Sequence, residues 1–221
     1  MSDFADQRDE ICRIGRSLFE RGHVHASAGN VSVRLPDGQG FLITPTDACL
    51  GWLQPGQLAH CDSAGQPISG PPASKTLTLH RSIYSADPAA QCVLHSHSTQ
   101  LVALTLTGVW RSDSILPPIT PYFVMKVGRV PLIAYHRPGD AAVAGLVAEA
   151  ISAARQHGRP MRAVMLDRLG PTVWHESPAA ASAVLEELEE TARLWRITGG
   201  RASALSPTQI EDLHSAFGAK W

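Results

Sequence analysis

The chain has 221 residues, 44% of them hydrophobic and 18% charged, the composition of a globular protein long enough for one sizeable core. Its 19 basic and 20 acidic residues leave a net charge of -1, which removes nucleic acid and acidic membrane surfaces from the expected partners, so any anion must be met locally. Cys12, Cys49, Cys61 and Cys92 form no CxxC pair, the start Met1-Ser2-Asp3-Phe4 lacks a basic-then-apolar signal, and no apolar run approaches the roughly 20 residues of a membrane span, so a reduced, cytoplasmic protein is expected.

Residues 5–21 carry Ile11, Ile14, Leu18 and Phe19 at helical spacing, and Gly22 follows as a stop. The small residues Ala26-Ser27-Ala28-Gly29-Asn30 let backbone N–H groups approach a ligand, and they lead into the alternation Val31-Ser32-Val33-Arg34-Leu35. They read equally as an anion-binding loop or as a plain helix-to-strand connection. Pro36-Asp37-Gly38 turns the chain into a strand over 41–44, which runs into Pro45-Thr46-Asp47, and a further short strand is expected over 58–62. Residues 65–72 are rich in Pro and Gly and read as a surface loop. Ser74 is the expected N-cap of a helix to residue 85 with Leu77, Ile83 and Tyr84 inward. The free N–H groups near Ser74 and Lys75 suit a phosphate or carboxylate, or serve only to start the helix.

The sharpest chemical signal is Cys92-Val93-Leu94-His95-Ser96-His97-Ser98. A strand over 92–97 has a period of two, which puts His95 and His97 on one face, close enough to hold one metal ion. The bland alternative is one imidazole capping the strand and the other bonded to backbone. The position at the end of a buried strand favours the metal site, but two ligands do not close one, and a third must come from elsewhere.

A buried helix is expected over 98–106, then an irregular stretch over 116–127 holding Pro117, Pro118, Pro121 and Tyr122, then a strand over 130–134. Arg137-Pro138-Gly139-Asp140 opens a helix to residue 156. Strands over 163–166 and 172–174 face each other across Asp167-Arg168-Leu169-Gly170-Pro171. A long helix starts at Ser177 with Val184, Leu188, Ala192 and Trp195 on one apolar face, and its glutamates read as a solvated face. The last helix, over 207–217, has a capping box of Ser206 with Gln209 and presents Ile210, Leu213 and Phe217. Strands outnumber what a βαβ alternation supplies, so an α/β fold with a mixed, mostly antiparallel central sheet covered by helices is expected, in a single domain over 1–221.

Ser27-Ala28-Gly29-Asn30, Thr44-Pro45-Thr46, Ser74-Lys75 ahead of His80, His95-Ser96-His97-Ser98, Tyr122 and Gly170-Pro171 before a long helix stand in an order that resembles the class II aldolase/adducin family over about residues 8–197. Thr120-Pro121-Tyr122 and Tyr135-His136-Arg137-Pro138-Gly139-Asp140 are most similar to its branch that decarboxylates 3-oxo-tetronate 4-phosphates. The resemblance implies α/β/α layers, a homotetramer, and a site at the subunit interface that holds a divalent metal, zinc first with Mn2+ or Fe2+ as alternatives. It assigns His95 and His97 to the metal. Gly29, Asn30, Thr46, Ser74 and Lys75 go to a phosphate and its neighbouring carboxylate, and Tyr122 becomes a proton donor reaching into the neighbouring subunit.

Three positions depart from the family pattern. Its acid/base glutamate falls on Thr76, which cannot exchange a proton near neutral pH. Its third metal histidine falls on Leu169, and Asp167, two residues earlier, is the expected substitute. The glycine after Thr44-Pro45-Thr46 is Asp47, whose carboxylate repels a phosphate unless Lys75 or Arg168 offsets it. Losing a general base removes roughly 10²- to 10⁴-fold from a reaction that needs one. That weighs more against aldol chemistry than against decarboxylation, where carbon dioxide leaves and Tyr122 or water protonates the carbon afterwards. The leading expectation is a metal-dependent carbon–carbon lyase acting on a small phosphorylated sugar acid or sugar. A catalytically degenerate binding or structural protein comes second, and a non-haem iron oxygenase built on two histidines and one carboxylate comes third. The substrate's carbon skeleton is not legible.

Overall fold

The computed structural model describes residues 4–221; residues 1–3, part of the start read as lacking a signal, lie outside the described residues. Six α-helices and eight strands appear in the order α1 (Ala5–Glu20), β1 (Asn30–Arg34), β2 (Phe41–Ile43), β3 (Ala59–Cys61), β4 (Pro67–Ser69), α2 (Leu77–Ala86), β5 (Cys92–His95), α3 (Thr99–Thr107), β6 (Leu132–Ile133), α4 (Ala142–Gln156), β7 (Ala163–Leu166), β8 (Gly170–His175), α5 (Pro178–Ile197) and α6 (Pro207–Phe217). The strands form one sheet in the order β4-β3-β2-β1-β5-β8-β7-β6. Only the β6–β7 pair is parallel. The expected mixed, mostly antiparallel sheet is therefore present.

Strand alternation divides the core into two layers. On one face Val31, Val33, Cys92, Leu94, Ala163, Met165 and Val173 pack with Ile11, Leu18, Leu101, Leu185 and Leu188 of α1, α3 and α5. On the other, Val93, Val164, Leu166 and Trp174 pack with Ile83, Tyr84, Val143, Val147 and Ile151 of α2 and α4. The result is α/β/α, and the even-phase residues Asn30, His95 and Thr172 fall on the α2–α4 side of the sheet. β1 and β5 pair so that Asn30 lies opposite His95, and β5 and β8 pair so that His95 lies opposite Thr172. Three central strands thus deliver polar side chains to one point.

Several boundaries move from their expected places. The loop over 65–72 contains the exposed edge strand β4, paired to β3. α2 begins at Leu77, so Ser74 precedes the cap position, and its Oγ lies 3.4 Å from the Thr76 N–H. Phe123–Val127 forms a turn of π-helix within the Pro-rich stretch. The glutamates of α5 are not all solvated. Glu189 is buried, and its carboxylate accepts from the backbone N–H groups of Gln100 (2.8 Å) and Leu101 (3.1 Å), capping α3 from another helix.

Candidate active site

Between α2, α4 and the ends of β1, β5 and β7 lies a cavity of about 500 Å³. Gly29, Asn30, Thr46, Ser74, Lys75, Thr76, His95 and His97 all line it, together with Asp47 and Leu169. Tyr122 and Asp167 do not.

The loop ahead of β1 lies directly over the end of β5. Gly29 has φ +85°, and a Cβ there would stand 2.6 Å from Val24 Cγ1 and 3.0 Å from the His95 carbonyl oxygen, so only glycine lets this backbone approach. The phosphate-loop candidates are brought together by pairing outside the sheet. Thr46 N–H donates to the Pro72 carbonyl (3.0 Å) and Ser74 N–H to the Thr44 carbonyl (3.1 Å), with a bridge between Pro45 and Ala73. Ser74 and Thr76 hydroxyls are 2.9 Å apart. Asp47 holds φ +57°, the left-handed region that favours glycine, which gives a backbone reason for the family's residue there. No ion pair among the described residues joins Asp47 to Lys75 or Arg168. Arg137 is the other cation that reaches this cavity.

β5 ends at His95, two residues earlier than a strand over 92–97, yet His97 still reaches the same cavity. Close by, Gly170 has φ +135°, and a Cβ there would collide with the Ser96 carbonyl, so only glycine lets β8 pass this near to the residue between the two histidines. The two ring centroids are 5.1 Å apart at an interplanar angle of 75°. His95 Nδ1 lies 3.0 Å from the Pro171 carbonyl oxygen and 3.1 Å from Thr172 Oγ1. A carbonyl only accepts, so Nδ1 carries the proton and Nε2 keeps its lone pair for the cavity. Burial pushes the His95 imidazolium down to about 3, with His97 adding to the shift and the Pro171 carbonyl opposing it. His97 is also lowered, by burial first and then by His25. Both rings are neutral at pH 7, the state a metal ligand needs.

Behind this pair a hydrogen-bonded chain runs into the core. His80 Nε2 lies 2.6 Å from Asn30 Oδ1 and its Nδ1 lies 2.7 Å from Ser32 Oγ, which in turn is 2.8 Å from the Tyr84 hydroxyl. The consistent assignment is Nε2–H donating to Asn30 and the Ser32 hydroxyl donating to Nδ1. This fixes the Asn30 amide so that its NH₂ remains as a donor for the cavity. Burial, with His95 second, holds His80 down to about 3, so the ring stays neutral.

Zinc ligated by two histidines at its usual nitrogen distance, about 2.0–2.1 Å, with tetrahedral angles puts the ring centroids about 5 Å apart, and the His95–His97 spacing meets that test. The position of the family's third histidine does not: Leu169 lines the cavity with an apolar side chain. Asp167 does not line the cavity: Leu166 lies on the cavity face at the end of β7, and residues 167–169 form a turn, in which the strand period of two no longer applies. Accordingly, no group of three His, Cys, Asp or Glu among the described residues surrounds a common point as the side chains stand. Tyr122 is 63% exposed and does not line its own chain's cavity. Sequence reasoning passed over Arg137 as a site residue and offered His25, with His175, only as a fallback for the third ligand; His25 lines the cavity and His175 does not. Arg137 enters only because α4 packs on α2, which no local pattern reports.

Residues 9–196 match the family model described as class II aldolase and adducin N-terminal domain. The chain is 53% identical, over the full length of both, to a 3-oxo-tetronate 4-phosphate decarboxylase of Cupriavidus necator. It is 41% identical to the protein of the same name in Escherichia coli K12, over 97% of this chain and 100% of that one. The crystal structure of YgbL from Klebsiella pneumoniae superimposes with a TM-score of 0.86 at 41% identity, covering 94% of this chain and 97% of that one. With the family model matched over residues 9–196 and a relative 53% identical over the full length of both chains, the chain belongs to the class II aldolase and adducin N-terminal domain family.

Proposed function

We propose that this cavity decarboxylates a 3-oxo-tetronate 4-phosphate or a closely related phosphorylated 3-oxo sugar acid. The observation that carries the reading is the meeting, in one cavity, of the phosphate-loop residues with the paired neutral histidines, in a chain similar from end to end to decarboxylases of that name. The chain acts as one domain over 1–221. Class II aldolases depend on a divalent metal. Here His95 and His97 would hold it, with zinc the leading choice and Mn2+ or Fe2+ the alternatives, and when bound it supplies a Lewis acid to the substrate carbonyl.

The chain's own residues do the rest. The Asn30 NH₂, the hydroxyls of Thr46 and Ser74 and the Lys75 ammonium bind the phosphate, with the N–H groups of the Gly29 loop beside them. Loss of carbon dioxide from a 3-oxo acid breaks the bond between C1 and C2, and its electron pair passes to the neighbouring carbonyl. C2 then takes a proton, leaving a three-carbon hydroxyketone phosphate. Thr76 cannot act as a base here, and decarboxylation does not ask it to. Tyr122 supplies the proton from a neighbouring subunit of a homotetramer, which accounts for an exposed tyrosine with no role in its own chain. Four free cysteines and the lack, among the described residues, of any helix long and apolar enough to cross a membrane support a cytosolic enzyme.

One observation favours a second reading. Leu169 and Thr76 stand where the family's third ligand and base are expected, as they would in a member that keeps the fold and the phosphate loop without the chemistry. The iron oxygenase reading has no such support, because Asp167 does not reach the histidine pair. Phosphorus NMR on the protein incubated with metal and either a 3-oxo-tetronate 4-phosphate or a ketose 1-phosphate separates these. Conversion of the first alone supports the decarboxylase. Cleavage of the second makes it an aldolase, and no conversion of either leaves the non-catalytic reading.

A further inference from the structure

The proposed substrate has two anionic ends, a phosphate and a carboxylate, and the cavity lining holds one lysine and one arginine, Lys75 and Arg137. Lys75 belongs to the phosphate loop. Arg137 stands in a separate segment between β6 and α4, in the turn Arg137-Pro138-Gly139-Asp140. The Asp140 N–H closes that turn on the Arg137 carbonyl (3.1 Å), with Pro138 second and Gly139 third at φ +78°, the residues a type II turn selects. The side chain is exposed yet lines the cavity, so it stands at the mouth on a stiff support. Its charge is not spent inside the chain. Among the described residues no hydrogen bond or ion pair holds the guanidinium. The nearest carboxylate in sequence, Asp140, accepts from the Ala142 N–H (3.0 Å) and lies 3.3 Å from His136 Nδ1. Its carboxyl is held low first by that N–H and then by His136, with Arg137 the least of the groups acting on it.

We propose that Arg137 binds the substrate's carboxylate and so selects phosphorylated acids over phosphorylated ketoses and alcohols. The inference rests on the decarboxylase reading above and names what recognises the group that is lost. The phosphate is already supplied with donors by Asn30, Thr46, Ser74 and Lys75, so a further cation from another segment suits a second anion better than the same one. A guanidinium presents a planar fork of N–H donors that meets a carboxylate with two parallel bonds, which an ammonium cannot do. Asp47 and Asp140 also line the cavity, and a carboxylate entering it without a cation would meet like charge. The contact has a definite place in the energetics. The carboxylate charge is largest in the bound substrate and is gone when neutral carbon dioxide leaves, so Arg137 stabilises the ground state at least as much as the transition state. It therefore lowers KM and sets specificity without raising kcat.

The test separates binding of the acid from binding of the phosphate and from turnover. Calorimetry on the full-length protein measures affinity for three probes. They are a tetronate 4-phosphate, which lacks the 3-oxo group and cannot lose carbon dioxide, the corresponding tetritol 4-phosphate, in which an alcohol replaces the carboxylate, and inorganic phosphate. Wild type is expected to bind the acid about tenfold more tightly than the alcohol, the lower end for bonds to a charged group because the guanidinium stands at an exposed mouth. Arg137→Gln should remove that preference and leave the alcohol and inorganic phosphate bound as before, and Arg137→Lys should restore part of it. In turnover of the 3-oxo acid, Arg137→Gln should raise KM by the same factor, with kcat held or raised. If Arg137→Gln weakens all three probes alike, Arg137 serves the phosphate and the assignment is wrong. It is wrong also if the variant keeps the wild-type preference, or if wild type has none. If the preference depends on Arg137 but wild type releases no carbon dioxide from the 3-oxo acid, the decarboxylase reading falls and the carboxylate site stands. Arg137 is exposed, so its variants are expected to fold, and their melting temperatures check this.

Discussion

Replacing His80 with leucine tests how the cavity is held together. The ring is fully buried and joins Asn30 to Ser32 by contacts of 2.6 and 2.7 Å. Leucine is close to it in size, so little void is created, and Ser32 keeps its contact with the Tyr84 hydroxyl. What remains is the Asn30 amide oxygen, left buried without its donor. An unsatisfied buried group of that kind costs about 1–3 kcal/mol. At roughly 2–4 °C per kcal/mol for a chain of this size, His80→Leu should lower the melting temperature at pH 7.5 by about 2–12 °C. The difference must shrink in acid. Burial holds the folded-state His80 down to about 3, against the 6.5 of an ordinary imidazole, so the unfolded chain binds the extra proton between those values. Wild type therefore keeps the full contribution above pH 6.5 and loses it as the pH falls toward 3, by about 1.4 kcal/mol per unit. The leucine variant has no such loss, and the other histidines titrate in both proteins. By pH 4.5 the gap should have closed or inverted. Urea denaturation of both proteins at pH 7.5 and 4.5 measures it, and a gap that stays constant, or a variant more stable at pH 7.5, refutes the assignment of a neutral bridging imidazole. Phosphate should also raise the variant's melting temperature less than it raises that of wild type, since the Asn30 NH₂ is no longer aimed.

Other changes probe the remaining parts of the site. Asp47→Gly removes a carboxylate from the phosphate side and a non-glycine residue from φ +57°, so phosphate should bind several-fold more tightly, read as a larger thermal shift at equal phosphate; an unchanged shift would place the anion elsewhere. Gly170→Ala forces a Cβ into the Ser96 carbonyl and should cost more than about 3 kcal/mol, whereas Gly108→Ala, also at positive φ but with nothing within 4 Å of its Cβ, should cost only about 1–2 kcal/mol. Equal losses in denaturant midpoint would remove the argument that only glycine lets β8 pass this near to Ser96. Light scattering should give a tetramer at micromolar protein, and a monomer would count against any role for Tyr122 in catalysis.

Much of this site is legible in the sequence because strand period is a strong constraint. Alternation along β5 gives His95 its face, and the small-residue run at Gly29 marks a close backbone approach that the cavity needs, whereas the placing of Asn30 and Thr172 opposite His95 is decided by strand register. The same rule does not extend to Asp167, because the strand stops at Leu166 and the residue falls in the following turn, outside the cavity lining. Glu189 shows a second limit. A run of glutamates on α5 reads as a solvated face, and nothing local distinguishes the one that meets the first turn of α3. Edge strand β4 is hidden for a similar reason: Pro and Gly signal a loop, and its pairing with β3 is decided by the sheet already formed. Arg137 reaches the cavity through packing of distant segments, which composition and spacing do not encode.

The central claim is that decarboxylation survives with threonine at position 76 and leucine at position 169. It is tested most directly by labelling the carboxyl carbon of a 3-oxo-tetronate 4-phosphate and following release of labelled carbon dioxide by metal-loaded wild type, His95→Ala and the uncatalysed solution. One equivalent of carbon dioxide per equivalent of three-carbon hydroxyketone phosphate from wild type, with His95→Ala reduced to near the solution rate, is the predicted result. Release by wild type no faster than in solution, from a protein whose melting temperature still rises with phosphate, would contradict it and leave a binding protein on an enzyme's fold.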